Sequence, residues 1–301
     1  MELDEVRARL AGVVAITPTP FTAEDTIDVP ACERVLGRLV DGGISVLTVN
    51  GNTGEFYTLA PAEARALVDL VAEAVPADGI LVAGVGFDTA TAIESAEYAR
   101  ARGAAAVMVH QPVHPYVSRQ GWVDYHRTIA SAVPDLAVIP YVRNPQITAG
   151  DFTELADACP NVAAVKYAIP DPAQFAKVAR GAGIDRFTWI AGLAELSAPA
   201  YAAVGAKGFT SGLASAAPEL SLRMHAALAA ADFPAAMQVW DTIQEFEHLR
   251  LARGSADNVS VIKEALHQLG FGRADVRPPA SRLDQEAREQ VAKILASWGA
   301  R

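Results

Sequence analysis

The sequence predicts an α/β fold, a (β/α)8 TIM barrel followed by a C-terminal helical extension. Three observations predict it: eight short apolar runs, amphipathic stretches between them, and helical periodicity that continues after the eighth run. The chain has 301 residues, 51% of them hydrophobic and 20% charged, so a large core is available. One barrel commonly takes about 250 residues, which leaves room for an extension.

The runs follow in order along the chain. VVAITP (13–18) and SVLTVN (45–50) read as the first two strands, and NGNTGEFYTL (50–59) follows as a loop punctuated by glycine. TLAPAE (58–63) then gives a helix start, with proline in the first turn and an acid close behind. The helix it opens, PAEARALVDLVAEAV (61–75), repeats apolar residues at three- and four-residue spacing. ILVAGVG (80–86), AAVMVH (105–110), AVIPYV (137–142), VAAVKY (162–167), FTWIAGL (187–193) and KGFTSGL (207–213) complete the eight. Helical patterning resumes over 218–270, RADVRPP (273–279) reads as a loop, and 283–298 reads as a last helix. The expected organisation is a barrel over 1–216 with an extension over 217–301 packed on it, without a flexible linker.

Composition excludes several classes of function. The formal charge is −10, from 35 acidic and 25 basic residues, whereas a nucleic-acid surface needs a basic stripe. Cys32 and Cys159 are the only cysteines and have no metal-ligand spacing, so each is expected in the core. The opening MELDEVRARLAG is acidic and polar, unlike a secretory signal. No apolar run approaches the roughly 20 residues of a membrane span. A cytoplasmic protein acting on a small molecule is expected, with no membrane or nucleic-acid partner.

A barrel places its chemistry at the C-terminal ends of the strands. Lys166 ends the sixth run; the other four lysines stand in helical or turn contexts where a solvated charge is ordinary. A lysine moved into a low-dielectric site loses its proton more readily and becomes a nucleophile toward ketones. The competing reading is a strand-end lysine that snorkels to water. Tyr141 ends the neighbouring fifth run and suits a proton shuttle, or else packs in the barrel mouth. Arg143, two residues on, falls on the same face and suits a carboxylate, with a surface arginine as the alternative. In the loop after the second strand, Gly51, Asn52, Thr53 and Gly54 offer backbone N–H groups and a hydroxyl to an anion, and Glu55 is placed to brace them. Gly192, Thr210 and Ser211 are wall candidates at the ends of the seventh and eighth strands. His110 and His114 lack a third metal ligand, so a polar or acid–base role is expected and no metal.

Taken in order, TPTPF (17–21), GNTGE (51–55), Tyr141, Lys166 in VAAVKYA, AGLAE (191–195) and GFTSG (208–212) resemble the dihydrodipicolinate synthase and N-acetylneuraminate lyase family of Schiff-base enzymes. The resemblance spans nearly the whole chain. It implies 2-oxo acid chemistry without a metal or organic cofactor, usually in a homotetramer; a homo-oligomer, tetramer or dimer, is expected. Lys166 would form the imine, Tyr141 would shuttle protons, and the Gly51–Gly54 loop with Thr53 would hold the oxo acid's carboxylate.

Three departures bear on the substrate. Asn52 stands where dihydrodipicolinate synthases typically carry a second threonine, His114 stands near their relay tyrosine, and VRNP replaces an NVPSR-like run. GNTGEFYTL, the Tyr141–Arg143 pair and VSVIKEALHQLG followed by VRPP are more similar to 5-dehydro-4-deoxyglucarate dehydratases. Those act on a six-carbon sugar diacid and yield 2,5-dioxopentanoate, water and carbon dioxide, although they typically have glycine at position 52. A dehydratase or aldolase for a 2-oxo sugar acid is therefore expected. Condensation of the 4-hydroxy-tetrahydrodipicolinate synthase type and a non-catalytic barrel that binds 2-oxo acids are the alternatives.

Overall fold

The computed structural model describes residues 1–299. Its centre is a closed parallel barrel in sequential order: β1 (Val13–Ile16), β2 (Val46–Val49), β3 (Ile80–Val85), β4 (Ala106–Val109), β5 (Ala137–Val142), β6 (Ala164–Tyr167), β7 (Thr188–Ala191) and β8 (Gly208–Ser211). Pairing of Ala15 with Ser211 closes the ring. Helix α1 (Leu3–Leu10) precedes β1. The crossover helices are α2 (Val29–Asp41), α3 (Pro61–Ala74), α4 (Thr89–Ala101), α5 (Arg119–Ala132), α6 (Ala149–Ala158), α7 (Pro172–Ala182) and α8 (Ala194–Ala203). Asp28, Asp88, Ser118 and Asp171 each cap a helix by accepting from the N–H three residues on, which sharpens the loop-to-helix turns.

Every strand residue is buried because each strand is covered on both faces. The two-residue side-chain period divides them. Val14, Val82, Met108 and Ile139 fill the barrel interior, together with Val6 and Leu10 of α1. Val107, Val138, Val165, Tyr167 and Phe209 instead pack outward under the helices. The same alternation sends Lys166 inward and Tyr167 outward.

After β8 come α9 (Pro218–Ala229), α10 (Phe233–Ser255), α11 (Asn258–Gln268) and α12 (Gln285–Ser297). Trp240 of α10 donates its indole N–H to the Leu196 carbonyl at 2.9 Å, fastening the extension to the β7–β8 side of the barrel. Trp298 packs on Phe246 with ring centroids 5.2 Å apart, which fastens the end of the described chain to α10. Among the described residues no helix is long and apolar enough to cross a membrane.

Candidate active site

A cavity of about 110 Å3 opens at the C-terminal ends of the strands. The structure brings Asn52, Thr53, Tyr141, Arg143, Lys166, Gly192 and Thr210 to its lining. Lys166 and Tyr141 are register partners across β5 and β6, both inward-facing and both 5% exposed. The Lys166 ammonium position lies 4.3 Å from the centroid of the Tyr141 ring. Burial, reinforced by the Arg143 charge, pushes the amine down to about 7. The free, nucleophilic amine is therefore far more accessible near neutral pH than on an ordinary lysine.

Gly192 is required by close approach. A Cβ there would lie 2.9 Å from the Tyr167 carbonyl oxygen and 3.0 Å from Lys166 Cγ, displacing the lysine stem. Tyr141 accepts from the Asn52 side-chain amide at 3.3 Å. Burial raises the Tyr141 hydroxyl above the usual phenol range, while Arg143 and the Asn52 amide pull against that rise. At neutral pH the phenol is therefore protonated and able to donate.

Residues Asn52–Gly54 form a 3-10 turn. The turn's own hydrogen bonds use the N–H groups of Gly54 and Glu55, to Gly51 and Asn52 carbonyls at 3.0 Å each. Among the described residues the N–H groups of Asn52 and Thr53 meet no acceptor, which leaves them for an anion. Gly51 itself is buried against Ile16 and supplies the turn rather than the lining. Glu55 holds the turn from outside the cavity. Its carboxylate pairs with Lys263 of α11 and accepts the Arg277 backbone N–H at 2.8 Å. Lys263, expected to be solvated, is 1% exposed; the reason is this ion pair plus the Asp275 carbonyl at 2.8 Å. Burial lowers its ammonium below the usual lysine range, and Glu55 opposes the shift.

Besides Gly51, two further expected site residues lie outside the lining. Ser211 follows Thr210 on β8, so strand alternation turns its hydroxyl outward, where it donates to buried Glu195 beside Ser221. Glu195 is raised to about 7 by burial and by the Glu247 charge, against the two serine hydroxyls. His114 is exposed on the loop after β4, and its Nδ1 accepts the Tyr116 backbone N–H at 3.1 Å. His110 is also corrected as an acid–base group. Its ring stacks on Phe56 at 4.0 Å, its Nε2 meets the Asn50 carbonyl at 2.8 Å, and burial lowers it to about 3. Among the described residues no three His, Cys, Asp or Glu side chains gather as a metal site.

Sequence reasoning missed the contribution of the extension: Glu247, Arg250, Leu251, Ser255 and Asn258 also line the cavity. A signal was present. Val239, Ile243 and Phe246 form an apolar stripe on α10, and Glu247 and Arg250 continue it in helical phase.

Fold and cavity define a (β/α)8-barrel protein with a buried lysine at the mouth of its sixth strand. The chain belongs to the dihydrodipicolinate synthetase family, which it matches over residues 9–298, and it is a lyase of that family. It is 30% identical over 291 residues to a probable 5-dehydro-4-deoxyglucarate dehydratase of Rhodococcus opacus (strain B4), covering 95% of this chain and 94% of that one. The structure of dihydrodipicolinate synthase from Oceanobacillus iheyensis superposes with a TM-score of 0.94 at 34% identity, covering 100% of both chains. That of the Bacillus clausii dihydrodipicolinate synthase gives 0.93 at 38%, covering 98% of this chain and 99% of the other. These relatives carry names for two different reactions, so the cavity's own chemistry has to choose between them.

Proposed function

We propose that the protein forms a Schiff base between Lys166 and a 2-oxo sugar diacid, dehydrates it, as the name of the Rhodococcus opacus relative has it, and decarboxylates the product. The observation that carries the Schiff base is a buried lysine held near pH 7 against Tyr141, and Arg143 in the same lining, a cation for a second carboxylate, favours a diacid. The neutral amine attacks the C2 ketone, and the carbinolamine loses water to give a protonated imine. The imine draws electrons from C3, whose proton leaves; the enamine then expels the C4 hydroxyl as water, with Tyr141 passing the proton. The C5–C6 bond breaks next: carbon dioxide leaves, and its electron pair runs through the C3–C4 double bond into the imine. Protonation at C3 and ketonisation of the C5 enol follow, and water hydrolyses the imine to free Lys166. The imine is the electron sink, so the reaction as written needs no cofactor. The Asn52 and Thr53 N–H groups and the Thr53 hydroxyl take the carboxylate beside the imine.

Arg143 takes the distal carboxylate. Arg143→Ala should weaken a diacid at least tenfold more than pyruvate, read as half-saturation of turnover or of imine formation, by the loss of a charge-assisted pair worth about 1.5–3 kcal/mol. Equal weakening of both would remove that role.

The reading is tested by a panel of 2-oxo sugar acids, followed by loss of substrate and release of carbon dioxide. Release of carbon dioxide from a 3-deoxy-2-oxo diacid supports it. Turnover only when pyruvate is supplied with aspartate semialdehyde would establish the condensation reading instead, which the names of the two superposed synthases favour. Binding without turnover of any panel member would make this a non-catalytic barrel.

We further propose a homo-oligomer, dimer or tetramer. Val113 and Tyr116 on the loop after β4 are 55% and 85% exposed, an apolar pair that a second copy would cover. Light scattering on the eluting protein should give a multiple of 31.7 kDa, and a mass of one chain refutes it.

A further inference from the structure

The outer wall of the cavity comes from α10 and α11 rather than from any strand. Glu247 and Arg250 stand one turn apart on α10, are 2% and 4% exposed, and both line the cavity. Arg250 Nη1 donates to Glu247 at 2.6 Å, and Nη2 donates to the Asn258 side-chain oxygen at 3.1 Å. These bonds engage two of the five guanidinium N–H groups and leave three. The guanidinium reaches this place because residue 212 is glycine. A Cβ there would lie 2.8 Å from Arg250 Nη2 and 3.3 Å from Thr53 Oγ1, so Arg250 and the carboxylate turn close on the same space. Helix α10 loses helical geometry at Ala252, Arg253 and Gly254, and the chain beyond this break returns Ser255 and Asn258 to the lining.

What this wall asks of a ligand follows from its chemistry. Glu247 and Arg250 neutralise one another, so the wall has no net charge to offer a carboxylate, and a carboxylate would also face Glu247. An alkyl chain would leave the remaining guanidinium N–H groups unmet, and the Arg250 Nε–H is already buried without a partner among the described residues. A hydroxyl accepts from Arg250 and donates to Glu247 at once. Arg143 and the Asn52 turn, elsewhere in the lining, remain for the carboxylates.

We propose that Arg250 is a specificity-determining residue: with Glu247 and Asn258 it reads a substrate hydroxyl beyond the reacting carbons, selecting hydroxylated 2-oxo acids over unsubstituted ones of equal length. The inference rests on the Schiff-base reading above and narrows its substrate class.

The test compares 5-dehydro-4-deoxyglucarate with 2-oxoadipate, six-carbon oxo diacids that differ in their hydroxyls. The readout is the concentration that half-saturates borohydride trapping at Lys166, followed by mass. Arg250→Lys keeps a cation beside Glu247 and removes the guanidinium fork. It should raise the half-saturating concentration of the hydroxylated acid about tenfold or more, the worth of one charge-assisted hydrogen bond, and that of 2-oxoadipate less than about twofold. Asn258→Ala leaves the Glu247–Arg250 pair intact and should discriminate in the same direction by about threefold. Equal changes for both acids, or no change for either, in the variants overturn the proposal while the Schiff base stands. A wild-type protein that traps neither acid removes the Schiff-base reading itself, and this inference with it.

Discussion

Lys166→Met should lose turnover by a factor on the order of 10^4 or more while the folded protein becomes more stable. The two effects have one cause. The amine is buried, its folded-state value is about 7, and an unfolded chain returns it to about 10.4. Between those values the unfolded state binds more protons, so stability contributed at this site rises with pH from about 7 to about 10.4 and is lost as pH falls through that window. At or below pH 7 the buried lysine is a cost, and methionine, of similar length and apolar, removes it. A gain on the order of a few kcal/mol in chemical denaturation at pH 7 is expected. In the wild type, kcat/KM should fall about tenfold per pH unit below about 7, as the nucleophile is protonated. A fully active Lys166→Met protein, or one less stable than the parent at pH 7, would contradict this account of the residue.

Lys263→Met should produce the second-largest effect, and by a different route. This lysine never touches the cavity, yet its partner Glu55 ends the turn whose Asn52 and Thr53 N–H groups face the oxo acid's carboxylate. Removing the ammonium leaves Glu55 buried and held only by the Arg277 N–H, a loss of about 3–5 kcal/mol. Thermal unfolding should come roughly 5–10 °C earlier, and half-saturation for any 2-oxo acid should rise about tenfold or more as the turn loosens. The double variant Lys263→Met with Glu55→Gln separates the two consequences, since replacing both ions of a buried pair is often close to neutral. Its melting temperature should recover and its affinity should not. If affinity returns together with stability, the pair is structural and has no part in placing the turn.

Much of this architecture is legible along the chain because a barrel strand is short, apolar and buried on both faces. Ending rules then pick out Lys166, Tyr141 and the Asn52 turn without reference to packing. The phase of alternation was harder to read: Thr210 and Ser211 are adjacent small hydroxyl residues, and only the outward packing of Phe209 shows which one points in. Lys263 looked like an ordinary helix lysine because its carboxylate lies 208 positions earlier in the chain. For Arg250 and Glu247 the helix was readable, and its apolar stripe showed which side was buried. What it was buried against, the helices of the extension or the open mouth of the barrel, depends on how α10 crosses the rim. No local pattern encodes that crossing. His114 shows the converse limit, since a loop without regular structure gives no direction to its side chains.

The central claim is that Lys166 makes a covalent imine with a 2-oxo acid, and borohydride reduction in the presence of pyruvate at pH 8 tests it most directly. Peptide mapping should find one reduced pyruvyl group, on Lys166, with the other four lysines unmodified and no adduct in Lys166→Met. An unmodified Lys166 across several 2-oxo acids, or an adduct on a different lysine, would contradict the account.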